Sequence, residues 1–195
     1  MRVYLIARAD QLPQALLAVR ALPRGGAGVQ LRDPSLTPRQ LLSAARGFAQ
    51  ELAADQRTGS PAPLLVNDRA DVALSAGCGV HLPARGLSPE DARELGVGLV
   101  GASTHSPGEG VGADFLVFGP VFDTPGKGPA QGLPKLREAV LAARGTPVYA
   151  LGGVTPENAW QCMESGARGV ACIRSVLDAA DPAAAAVRLW QAVTQ

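Results

Sequence analysis

The sequence predicts an α/β chain folded as a single (β/α)8 TIM barrel, and three observations lead there. Eight short runs rich in Val, Ile and Leu alternate with longer Ala/Leu/Arg segments of helical period, the pattern of parallel strands joined by crossover helices. At 195 residues the chain has room for one substantial core but not two, so residues 1–195 are expected to form one domain. The first run passes into ARADQL without a glycine, whereas a doubly wound open sheet usually carries its Gly-rich fingerprint there. A barrel of this length would be compact, since about 250 residues is typical.

The elements follow in order. Strands are expected at Val3 to Ala7, Gly28 to Arg32, Leu64 to Asn67, Gly79 to Leu82, Leu99 to Ser103, Phe115 to Val121, Val148 to Gly152 and Gly169 to Ile173. Helices are expected near Leu12 to Ala21, Pro38 to Ala54, Arg69 to Ala76, Ser88 to Leu95, Leu133 to Ala143, Pro156 to Ser165 and Asp181 to Val193. Four of them start at Thr37-Pro38, Ser88-Pro89, Thr155-Pro156 and Asp181-Pro182, where a capping oxygen precedes a proline at the first helical position. The fifth connection, THSPGEGVGA, has room for only about a turn of helix. Ala53 to Pro63 reads as a surface loop.

Composition excludes several classes. The formal net charge is +1 with both signs scattered, so no basic patch suggests a nucleic-acid partner. The amino-terminal apolar run reaches Arg8 and Asp10 too soon for a signal peptide or a membrane span, which points to the cytoplasm. Cys78, Cys162 and Cys172 lack metal-ligand spacing and read as buried reduced thiols.

In a barrel the chemistry collects where the strands end at their carboxyl side. The residues there are Arg32 and Asp33, Asn67 and Asp68, His81, Ser103 to His105, Thr124 and Lys127, Gly152 and Gly153, and Arg174 and Ser175. Lys127 stands out because only it and Lys135 are lysines among the 18 basic residues. A lysine in a glycine- and proline-rich loop after a strand suggests an anionic substrate. Gly152-Gly153 and the Ile173-Arg174-Ser175 turn together suggest a phosphate held by backbone N–H groups, although GG alone reads as a tight turn. Arg32 could grip an anion or lock Asp33, Asp68 or Asp71 in an ion pair. Asn67-Asp68 could cap the helix that follows. Of the two histidines, His105 lies in a polar loop and is the better candidate for proton transfer, with His81, between Val80 and Leu82, as second choice.

These residues carry a resemblance over almost the whole chain to the thiamin phosphate synthase and TenI superfamily of small phosphate-binding barrels. The matching phrases are VQLRD, LLVNDRADVAL, GVHL, GASTHS, DFLVFGPVFDTPGKG, GLPKLRE, PVYALGGVTPENA and SGARGVACI, in that order. The resemblance to the synthases implies that Arg32, Asn67, Asp68, Ser103, Thr124, Lys127 and Gly153 bind a pyrimidine diphosphate, Mg²⁺ and a thiazole phosphate. Two synthase positions differ here, with Pro34 replacing a phosphate-binding lysine and Gly86 a second metal-binding aspartate.

LRDPSLT and HLPARGLS look more like the TenI branch, whose thiazole tautomerase needs a phosphate anchor and an acid/base but no metal. The TenI catalytic histidine of a GHVFET phrase is Pro120 here. The leading expectation is therefore a metal-independent, cofactor-free isomerase acting on a carboxylated thiazole phosphate. It assigns the phosphate to Gly152, Gly153, Ile173 and Arg174, the carboxylate to Arg32 or Lys127, and the proton to His105. Asn67, Ser103 and Thr124 complete the binding set. The alternatives are a thiamin phosphate synthase with Mg²⁺ on Asp68, a non-catalytic thiazole phosphate-binding protein, and an unrelated isomerase on the same anchor. A homodimer through the outer helices is among the expectations.

Overall fold

A computed structural model describes residues 1–55, 57, 59–106 and 108–195. Gln56 and Thr58, in the expected surface loop, and Pro107, in the fifth connection, lie outside the described residues. Eight parallel strands close on themselves in sequence order: β1 (Val3–Ala7), β2 (Ala27–Leu31), β3 (Leu64–Asn67), β4 (Gly79–Leu82), β5 (Val100–Thr104), β6 (Phe115–Phe118), β7 (Val148–Leu151) and β8 (Gly169–Cys172). The helices are α1 (Leu12–Ala21), α2 (Pro38–Ala53), α3 (Ala70–Ala76), α4 (Pro89–Glu94), α5 (Gly132–Ala142), α6 (Ala159–Glu164), α7 (Arg174–Leu177) and α8 (Pro182–Thr194). Closure pairs β1 with β8, Val3 opposite Val170 and Leu5 opposite Cys172.

Side chains alternate along each strand, so the sheet separates two apolar regions. Inside the barrel Tyr4, Ile6, Leu65, Phe115, Val117, Tyr149 and Ala171 form one cluster. Tyr4 and Tyr149 both meet Phe115 edge-on, with centroids 5.1 and 5.5 Å apart. Glycine makes room for these rings: a Cβ at Gly101 would stand 2.5 Å from Phe115 Cζ and 2.9 Å from His81 Nδ1. Outside, residues such as Val80, Leu82, Leu136 and Leu189 pack between strands and helices. All three cysteines are free thiols, Cys162 and Cys172 buried, and burial pushes these two up to about 12. No described helix is long and apolar enough to cross a membrane.

Three of the four expected caps form. Thr37 accepts from the Gln40 N–H, Ser88 from that of Asp91 and Asp181 from that of Ala184. At Thr155-Pro156 the expectation fails, because the backbone there makes a turn and α6 begins only at Ala159. Asn158 explains it: its side chain accepts from Thr155 N–H at 2.8 Å and donates to Gly153 O at 2.9 Å, bracing the Gly152-Gly153 turn. The sixth strand also stops short of Val121, since Pro120 has no N–H to continue the ladder.

Candidate active site

A cavity of about 530 Å³ opens at the carboxyl ends of the strands. Every binding or catalytic candidate named from sequence lines it: Arg32, Asn67, Ser103, His105, Thr124, Lys127, Gly152, Gly153, Ile173 and Arg174. Asp68, the conditional metal ligand, lies outside that lining, as do Asp33 and the buried Thr104 of the strand-end set. The floor is mostly apolar, built by Ile6, Val117, Leu151 and Ala171, with Gln30 and His81 among them.

The phosphate end rests on two turns. Gly152 and Gly153 have φ of 98° and 63°, left-handed values that glycine adopts without strain. A Cβ on Gly152 would come within 2.6 Å of Pro120 Cα, and one on Gly153 within 2.6 Å of Asp123 O. Opposite, the short helix α7 begins right after Ile173. The backbone N–H groups of Gly153, Ile173 and Arg174 donate no hydrogen bond among the described residues. Free N–H groups at turn and helix starts favour an anion. Thr124 stands beside them, its hydroxyl donating to Phe122 O at 2.9 Å and keeping its oxygen free to accept.

Two cations, Arg32 and Lys127, join the lining. Arg32 follows β2 and makes no ion pair among the described residues. The alternative that it locks a neighbouring aspartate is not what forms: Asp33 accepts from Ala9 N–H and from Ser35 N–H and Oγ–H, and Asp71 pairs with Arg69. Lys127 is exposed on the loop after β6 and likewise unpaired among the described residues. Both ends of that loop are fastened, Gln131 N–H donating to Pro120 O at 2.8 Å and Gly132 N–H to Val121 O at 3.1 Å.

Asn67-Asp68 does not cap α3. The N-cap is Arg69, and no side chain closes it. Asp68 is exposed with φ of 62°, a sparsely populated value for a residue with a Cβ. Its carboxylate accepts no hydrogen bond among the described residues. Gly86 is its neighbour: a Cβ there would be 2.8 Å from Asp68 Oδ1 and 2.9 Å from Pro83 Cδ. Pro34 lies away from the cavity, in a shallow groove with Arg8 and Asp33.

The histidines separate. His105 donates through Nδ1 to Gly119 O at 2.9 Å, and Glu109 holds its loop by accepting from the His105 and Ser106 N–H groups at 2.6 and 3.0 Å. Those bonds hold the Glu109 carboxyl below its usual value. Sequence reasoning missed Glu109 as it missed Asn158; an acid four residues after His105 was the only signal. His81 points inward, 2 % exposed, with Nε2 3.0 Å from Ser103 Oγ. Burial, reinforced by the Arg32 charge, lowers its pKa to about 3, so it is uncharged near neutrality and unsuited to the shuttle considered for it.

Comparison with known proteins fixes the lineage. A family model described as thiamine monophosphate synthase matches residues 3–176. A thiamine-phosphate synthase of Thermus thermophilus is 41% identical over 175 residues, 86% of this chain and 82% of that protein. That of Moorella thermoacetica is 37% identical over 194 residues, 94% and 90% of the two chains. The solved structure of thiamine phosphate pyrophosphorylase from Pyrococcus furiosus superposes with a TM-score of 0.82 at 28% identity, covering 98% of this chain and 95% of that one. Relatives this similar over this much of the chain carry the synthase name, which overturns the expected isomerase: the TenI-like phrases LRDPSLT and HLPARGLS occur in a chain whose matches are synthases. With an all-parallel eight-stranded barrel and a matching family model over nearly its full length, the chain belongs to the thiamine monophosphate synthase family.

Proposed function

We propose that this protein is a thiamin phosphate synthase, joining a hydroxymethylpyrimidine diphosphate to a thiazole phosphate with release of pyrophosphate. The observation that carries the reading, beside the relatives, is that one cavity with an apolar floor is lined both by the unengaged backbone N–H groups of Gly153, Ile173 and Arg174 and by the cations Arg32 and Lys127. Two phosphorylated substrates need that arrangement, whereas a single thiazole phosphate would leave Arg32 and Lys127 without a phosphate partner. In the assignment, Gly152, Gly153, Ile173 and Arg174 take the thiazole phosphate through backbone N–H groups. Arg32 and Lys127 face the diphosphate, Arg32 through its planar fork and Lys127 as a point charge on a loop. Asn67, Ser103 and Thr124 orient the rings and the bridging oxygens.

The balance of the reaction is simple. The C–O bond to the diphosphate breaks, that oxygen leaving with the electron pair, and the thiazole ring nitrogen forms the new C–N bond. No proton transfer enters this balance, so the shuttle assigned to His105 goes with the isomerase, and His105 forms the wall between β5 and β6. The chain's contribution is to align the two rings, exclude water and meet the charge that builds on the leaving group.

Mg²⁺ suits that leaving group, and the expectation of a metal-free reaction goes with the isomerase too. Among the described residues no cluster of three His, Cys, Asp or Glu could hold a metal. Asp68, next to the cavity-lining Asn67, has a carboxylate that accepts no hydrogen bond among the described residues, and Gly86 beside it supplies none. One carboxylate fits Mg²⁺, which commonly takes its other ligands from substrate phosphate and water. When bound there the ion would neutralise charge on the diphosphate.

The test is direct. Purified protein given both substrates and Mg²⁺ is expected to release pyrophosphate and form thiamin phosphate, with Lys127→Ala and Arg32→Ala each lowering kcat/KM by about tenfold to a hundredfold, the usual cost of one charged contact. Absence of coupling in protein that still binds inorganic pyrophosphate would overturn the assignment.

A further inference from the structure

A row of polar groups runs from the cavity lining into the floor of the barrel. Gln30 is 2 % exposed and Tyr4 is fully buried, in a mostly apolar interior. Gln30 Nε2 donates to Tyr4 Oη at 3.4 Å. Tyr4 Oη in turn stands 3.4 Å from His81 Nδ1, and His81 Nε2 3.0 Å from Ser103 Oγ at the cavity surface. The four groups come from β1, β2, β4 and β5, and Tyr4, fully buried behind the cavity lining, depends on the other three for its hydrogen bonds.

The direction of the protons follows from the donor at the far end. An amide nitrogen can only donate, so it occupies a lone pair of the Tyr4 oxygen. The phenol proton is then left for the one acceptor in reach, His81 Nδ1. A neutral imidazole carries a single N–H, and with Nδ1 accepting it must lie on Nε2. That N–H donates to Ser103 Oγ. The serine hydroxyl has its acceptor side filled from behind and its own proton free toward the cavity.

We propose that Gln30 and Tyr4 set the tautomer of His81, and that His81 is a positioning residue which turns Ser103 into a hydrogen-bond donor, so that the ligand atom opposite Ser103 is an acceptor such as an unprotonated ring nitrogen. His81 touches no ligand in this scheme; it acts through Ser103. Only the kinetic arm of the test rests on the synthase reading.

The chain has two histidines, so long-range ¹H–¹⁵N NMR of protein labelled at histidine resolves both rings. Three results are expected: His81 carries its proton on Nε2; Tyr4→Phe, which keeps the ring and removes the hydroxyl, loses that preference; and Ser103→Ala retains it. A proton on Nδ1 in the unaltered protein, an unchanged tautomer in Tyr4→Phe, or a tautomer that switches in Ser103→Ala would each overturn the proposal, whatever reaction the protein performs. In the coupling assay Tyr4→Phe is expected to lower kcat/KM about tenfold, with no further loss when added to Ser103→Ala, because both act through one hydroxyl. Additive losses would overturn the positioning role.

Discussion

Within the barrel floor, a single imidazole links stability to pH. Burial first, and the Arg32 charge second, bring His81 from the usual 6.5 to about 3. Between those values the unfolded chain binds a proton that the folded chain does not. The contribution of His81 is therefore present above about pH 6.5 and is lost as pH falls toward 3. Urea unfolding followed between pH 6.5 and 5, above the main carboxylate range, is expected to show stability falling by up to about 1.4 kcal/mol per pH unit from this group. His81→Gln should flatten that slope, and an equally steep curve in the variant would refute the assignment. The inward direction of His81 was not legible, because a strand with Val80 and Leu82 on either side fits an imidazole facing either layer. What settled it was Gly101, whose missing Cβ leaves space beside Nδ1.

At the level of elements, capping chemistry was readable wherever side chain and backbone cooperate locally. Thr37, Ser88 and Asp181 each find an N–H three residues on, an interaction that short-range sequence contains in full. Thr155-Pro156 has the same signature and fails because Asn158 is engaged with Gly153, and the fold needs that turn more than three further helical residues. The turn is a sensitive target. Gly153→Ala would force a Cβ to within 2.6 Å of Asp123 O at a φ of 63°, so a loss of about 1–3 kcal/mol in unfolding free energy is expected. Thiamin phosphate affinity, read by calorimetry, should fall by tenfold or more, since the displaced backbone is the proposed phosphate ligand. Unchanged affinity would place the phosphate elsewhere.

On the scale of the whole molecule, closure of the barrel turns eight separated chain segments into one rim. Arg32, Asp68, Lys127 and the turns after β7 and β8 come to one rim only through the strand order, and in the proposed synthase Asp68 is the carboxylate that would hold Mg²⁺ there. Calorimetry with Mg²⁺ alone is expected to show weak binding, strengthened at least tenfold by inorganic pyrophosphate, which would supply the missing oxygen ligands. Asp68→Asn should abolish the enhancement, and tight Mg²⁺ binding without pyrophosphate would contradict a one-carboxylate site.

Local pattern was enough to specify the barrel and most of the residues that line its mouth. Strand and helix periods are local properties, the phrases carrying the candidates sit at strand ends, and all ten binding or catalytic candidates line one cavity. The branch was misread: LRDPSLT and HLPARGLS weighed toward a tautomerase, while chain-wide similarity lies with the synthases. Short phrases at Pro34 and Gly86 record changes at two positions, and similarity over the whole chain integrates many more. It took the folded chain to show which way His81 faces, that Arg32 makes no ion pair among the described residues, that Asp68 leaves the helix uncapped, and that Asn158 and Glu109 hold the loops. Each depends on which groups from distant strands meet inside the barrel, and hydrogen bonds across the barrel have no imprint on local periodicity.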